Sequence, residues 1–97
     1  MSSYTITIMT WKPGGLIPKI INVRNTLVYM ENILGGEISI IEKNAPIKGT
    51  MIMGGPDGKN GVMAIVRNVR GHWAGLTKEE QKQVMVWFLR NPGKEPV

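Results

Sequence analysis

The sequence predicts a small α+β domain, and three observations carry that prediction. Tyr4, Ile6 and Ile8 alternate with Thr5, Thr7, Met9 and Trp11 at the period of a strand. Leu27, Met30, Ile33 and Leu34 recur at helical spacing, and Thr77-Lys78-Glu79-Glu80 has the form of a helix-starting capping box. A chain of 97 residues with 42% hydrophobic content can bury one core and hardly two. The expectation is therefore a single domain over residues 1–97, with residues 94–97 as a frayed tail. It should contain about five mostly antiparallel strands and two helices in the order ββα-β-ββ-α.

Each element has a local reason. The β-branched residues of Tyr4 to Trp11 suit a pleated strand, and Lys12-Pro13-Gly14-Gly15 supplies a turn, Pro fixing φ and Gly admitting positive φ. Lys19 to Arg24 resumes an extended pattern through Ile20, Ile21 and Val23, so the two runs should pair as an antiparallel hairpin. Asn25 or Thr26 can cap a short helix, which Gly35-Gly36 should stop. Glu37 to Glu42 returns to strand character and is expected beside the first strand. Thr50 to Met53 and Val62 to Arg67 are extended runs flanking the glycine-dense Gly54–Gly61, which reads as a hairpin loop. Arg67 to Gly75 is then the connection to the last helix. That helix carries Val84, Met85, Trp87, Phe88 and Leu89 until Asn91-Pro92-Gly93 ends it.

The first hairpin with its Pro-Gly turn, Thr26-Leu27 opening a helix that closes on Ile33-Leu34-Gly35-Gly36, and the direct run into Glu37-Ile38 resemble a family of small uncharacterised proteins encoded by bacteriophages and plasmids. The resemblance covers roughly the first half of the chain. It departs before the turn, where the family pattern favours an acidic residue and this chain has Trp11-Lys12. It implies a mobile-element accessory protein and carries over no catalytic residues. The order of hairpin, helix and strand is also similar to a β-grasp half, a likeness of fold that does not transmit function.

Most catalytic chemistries find no support in the composition. The absence of Cys removes thiolate metal sites, thiol nucleophiles and disulfides. His72 is the only histidine, and a stable zinc site needs three or four ligands, so no metal and no cofactor is expected. The serines are Ser2, Ser3 and Ser39, with no His–carboxylate pairing suggested by spacing. Glu79 and Glu80 are adjacent on a helix and point in different directions; complementing the helix dipole is their plain role. The Gly54–Gly61 loop fails as a P-loop, because Gly54 and Gly58 bracket three residues, Asn60 follows Lys59, and a strand comes next. A weaker version keeps only an anion-holding concavity of backbone amides with Lys59. The expectation is a protein that is not an enzyme.

Binding is the better-supported class. A formal charge of +5 favours anionic partners. Arg67, Arg70, His72 and Trp73 gather two guanidinium groups, an imidazole and an indole in one short stretch, and Trp11, Lys12 and Lys59 are further candidate ligand-binding residues. Lys19, Arg24 and Lys48 can also meet phosphates. The plain readings are core filling for Trp73 and Trp87 and solvation of strand edges for the basic residues.

Two functions follow as expectations. In one, a non-catalytic phage-type accessory protein acts by stoichiometric binding, blocking a host protein, a defence protein among them, or sequestering an anionic nucleotide signal. In the alternative, the chain is a small basic nucleic-acid-binding protein, although it has no RNP motif and no basic recognition helix. No apolar run approaches the roughly 20 residues that span a bilayer, and Met1-Ser2-Ser3-Tyr4 has no charged leader, so a cytoplasmic location is expected, in the host cell if the chain is phage-encoded. An unpaired edge strand and seven methionines would suit a homo-oligomer or a partner interface.

Overall fold

In the computed structural model, which describes residues 4–15, 17–44 and 46–90, strands β1 (Thr5–Trp11) and β2 (Lys19–Arg24) form the expected antiparallel hairpin. Its turn begins as the sequence requires. Gly14 adopts φ 79° after Pro13, and the Gly15 N–H donates to the Lys12 carbonyl at 2.9 Å. Helix α1 (Leu27–Leu34) opens on Thr26, whose hydroxyl accepts from the Tyr29 N–H, and closes on Gly35 at φ 90°. Strands β3 (Ser39–Lys43), β4 (Thr50–Gly54), β5 (Met63–Val69) and β6 (His72–Ala74) follow, with a single 3₁₀ turn at Gly58–Asn60, and α2 (Lys78–Arg90) completes the described chain. The expected stop at Asn91-Pro92-Gly93 and the tail 94–97 lie outside the described residues.

The result is an α+β domain built on one six-stranded sheet in the order β2-β1-β5-β4-β3, with β6 added to β5 and every pairing antiparallel. Two expectations need correction. Strand β3 does not lie beside β1; it pairs with β4 at the far edge, because β5 returns from the β4 hairpin and takes the place next to β1. The chain from Arg67 to Gly75 is not a plain connection. Arg70 and Gly71 take φ values of 54° and 83°, the two left-handed residues of a type I′ turn, and β6 folds back on β5 with Val69 opposite His72. One more strand therefore exists than expected.

The sheet is covered on both faces. Helix α1 packs Met30 and Leu34 against Ile6, Ile8, Met51, Met53 and Val66 on one face. On the other, α2 packs Val84 and Phe88 against Met9, Trp11, Ile52, Met63 and Ile65. Burial on both sides explains why β4 is wholly buried and why Met63-Ala64-Ile65-Val66 is a continuous apolar run without alternation. Each such large side chain contributes about 1.5–3 kcal/mol on burial. Leu27 and Leu89, at the outer turns of the two helices, remain exposed.

The glycine-dense loop between β4 and β5 has a packing role. A Cβ on Gly55 would collide with the Leu34 carbonyl at the end of α1, and one on Gly36 would meet Pro56. The loop thus docks against the C-terminal end of the helix, and only glycine permits that approach.

Candidate functional site

The fold separates the candidate residues into two groups at opposite ends of β5. Trp11 pairs with Met63 at its start, next to Lys12 and the loop that carries Lys59. Arg67, Arg70, His72 and Trp73 belong to its far end and to β6. From Met63, opposite Trp11, four strand steps lead to Arg67 and six to Val69, opposite His72, about 13 to 20 Å at the usual rise per residue. Neither of the two clefts described below holds both groups.

At the near end, the ligand-binding role expected of Trp11 meets a steric obstacle. Trp11 alternates with Met9 onto the α2 face and is 4% exposed, with its ring edge-on to Phe88 at 5.3 Å. It is a core residue. Among the described residues its buried indole N–H meets no hydrogen-bond acceptor, and a buried donor left unpaired costs about 1–3 kcal/mol. Lys12 and Lys59 are exposed. The amide concavity around Lys59 is also largely spent, because the Gly58, Asn60 and Gly61 N–H groups donate to Gly55, Asp57 and Gly58 carbonyls. A shallow cleft of about 290 Å3 lies beside the first turn, lined by Thr10, Trp11, Gly15, Ile17 and Val62 together with Lys12 and Lys19.

At the far end, cations gather with little opposition. Arg67 projects to the α2 face, where its Nε lies 4.0 Å from Glu80 Oε2 and its side chain keeps 43% exposure. His72 is exposed on the same face, opposite Val69, and Arg70 stands at the exposed hairpin tip. Lys48 joins them, since the neighbouring Gly49 carbonyl accepts from the Asn68 N–H at 2.8 Å. Arg24 closes the group at the end of β2, opposite Thr5.

Trp73 turns the other way. It is half-buried against the α1 cluster, and its carbonyl accepts from the Asn25 side chain at 3.1 Å. It anchors β6 and does not present a free plate. The far end is therefore a basic rim whose indole is packed away, with Tyr4, 63% exposed beside the Thr5–Arg24 pair, as the aromatic side chain left open there. Among the described residues, no group of three or more His, Asp or Glu side chains is placed to hold a metal ion, and no helix is long and apolar enough to cross a membrane.

Sequence reasoning named these basic residues but could not put them on one end of the sheet; strand register supplies that. It missed a second feature, the cleft between β2 and α2 lined by Ile20, Lys78, Gln81, Lys82 and Met85. The available signal was the i, i+4, i+7 row of Lys78, Lys82 and Met85 on one helix face. Comparison with known protein families, with curated proteins and with solved structures finds no match for this chain.

Proposed function

We infer that the protein is a non-catalytic binder that occludes an acidic surface of a protein partner in stoichiometric complex. The observation that carries this reading is the rim at the far end of β5, where Lys48, Arg70 and His72 are exposed around the half-exposed Arg67. Such a rim steers an anionic partner and fixes its orientation more than it supplies raw affinity. Two features favour a protein over a small nucleotide or a nucleic acid. The clefts, about 290 and 240 Å3, fall below the usual range for enclosing a small ligand. The indoles of Trp11 and Trp73 are turned into the core clusters, away from where bases would stack. The first-hairpin resemblance makes a host protein of a mobile element the expected partner.

The test is affinity capture with the wild-type chain and with a Lys48→Glu/Arg70→Glu variant, analysing proteins, small molecules and 260 nm absorbance together. A protein recovered in fixed ratio, lost with the variant and weakened by salt, supports the reading. Recovery of a nucleotide or of polynucleotide alone, or of no partner, argues against it.

A further inference from the structure

Among the described residues nothing pairs with the outer edge of β2, and the strand's register fixes which backbone groups face outward. The Asn25 N–H donates to the Tyr4 carbonyl at 2.9 Å, and the ladder runs from Thr5 opposite Arg24 to Thr10 opposite Lys19. Antiparallel pairs alternate between hydrogen-bonded and non-hydrogen-bonded, so Lys19, Ile21 and Val23 bond to β1 while Ile20, Asn22 and Arg24 turn their N–H and C=O groups outward. The 2.7 Å hydrogen bond from Thr7 Oγ1 to Asn22 Oδ1 agrees, since side chains approach most closely at non-hydrogen-bonded pairs. No described strand lies beyond β2, and its pairing with β1 runs without a bulge. The opposite edge, β3, is broken by an irregularity between Ile40 and Glu42, a device that discourages pairing.

The same three residues put their side chains on the α2 face, beside the cleft of about 240 Å3. Ile20 and Met85 give it apolar surface, Lys78 and Lys82 give it positive charge, and among the described residues no carboxylate lines it. Arg24 adds a third cation two strand positions beyond Asn22. We propose that the β2 edge takes up an extended acidic segment of the partner as an added strand, with one apolar side chain entering beside Ile20 and Met85 and carboxylates meeting Lys78, Lys82 and Arg24. Main-chain hydrogen bonds would give the affinity and the cleft the selectivity, as in other strand-addition complexes. The proposal rests on the acidic-partner reading above and names the form of that partner.

Charge decides against a second copy of this chain as the occupant. A two-fold pairing that matches the outward groups, centred on Asn22, would set Arg24 across from Ile20 of the other copy. There it would meet that copy's Lys78 and Lys82, and like charges so placed repel. Lysines on an edge also serve simply to deter unwanted pairing, and Lys19 fits that role. Lys78 and Lys82 stand on a helix, so edge protection does not account for them.

The test is an NMR titration of the full chain with a capped peptide that alternates glutamate and valine around a central leucine. The Ile20, Asn22 and Arg24 amides should shift and gain protection from exchange. Asn22→Pro, which removes an outward N–H the ladder does not use, should weaken binding about tenfold. Lys78→Glu/Lys82→Glu should weaken it likewise and admit a lysine–valine peptide instead, which keeps the test decisive if the proline variant does not fold.

Shifts confined to Arg67, Arg70 and His72 would overturn strand addition while leaving the acidic-partner reading intact. No shift anywhere, up to millimolar peptide, would overturn both. Displacement of the peptide from β2 by oligothymidylate would assign the edge to nucleic acid, and a dimer in sedimentation that protects the same amides would assign it to a second copy; each overturns the proposal.

Discussion

Glu80 uses one carboxylate for two contacts: Oε1 accepts the Thr77 backbone N–H at 2.9 Å, while Oε2 lies 4.0 Å from Arg67 Nε. The reciprocal bond, from the Glu80 N–H to Thr77 Oγ1 at 3.1 Å, completes the capping box. The two contacts should separate on mutation. Thr77→Ala should cost about 1 kcal/mol in urea unfolding, since it strips the cap. Glu80→Gln keeps an acceptor for Thr77 and loses the long, half-exposed ion pair together with one of two carboxylates in the first turn of α2, so its cost should stay below that of Thr77→Ala. An equal loss from both would show that the charge, and not the cap, holds α2 to the sheet.

Gly55 should be the least replaceable glycine in the chain. A methyl group there collides with the Leu34 carbonyl, a backbone atom at a helix end that cannot rotate aside. Gly55→Ala is expected to lose about 3 kcal/mol or more, read as a lowered melting temperature. Gly35→Ala meets no neighbour but keeps φ 90°, so it should cost only about 1 kcal/mol.

Arg70 holds a conformation that its side chain disfavours. At φ 54° it occupies the first left-handed position of the β5–β6 turn, a place suited to Asn before Gly. Arg70→Asn should stabilise the fold by about 1 kcal/mol and at the same time weaken partner binding. Opposite signs in the two measurements would mark Arg70 as kept for contact; matching losses would mark it as structural.

Trp11 tests the cost of a buried donor with no acceptor among the described residues. Trp11→Phe removes the buried N–H together with part of the ring, two effects of opposite sign, and should change stability by less than about 1.5 kcal/mol. Trp11→Ala should cost about 3–5 kcal/mol, because it empties the space against Phe88. Denaturant unfolding of the two variants, run side by side, decides the comparison.

Local chemistry was readable in the sequence. The Lys12–Gly15 turn, the Thr26 cap, the Gly35 stop and the Thr77–Glu80 box all occur where their residue types require, since each depends on neighbours within a few positions. Strand order was not readable, because placing β5 and not β3 beside β1 is decided by pairing between distant segments. Strand β6 was hidden for another reason. The familiar signal for its turn is Asn-Gly or Asp-Gly, and here the first position is Arg70. The burial of Trp11 had a visible cue, its place in the row with Met9, but its partner Phe88 comes from the far end of the chain. The basic residues of the rim were all named individually; only register brings Lys48 and Arg67 to the same end.

Where β1 leaves the side of β5, β6 takes over that edge, so the sheet forks and the β5–β6 hairpin ends the fork in two exposed turn residues. Extra residues added at Arg70-Gly71 would lengthen a finger without entering either core cluster. This tip is accordingly the point where a graft or a cut should be tolerated, and where related chains could vary in length while keeping the same body.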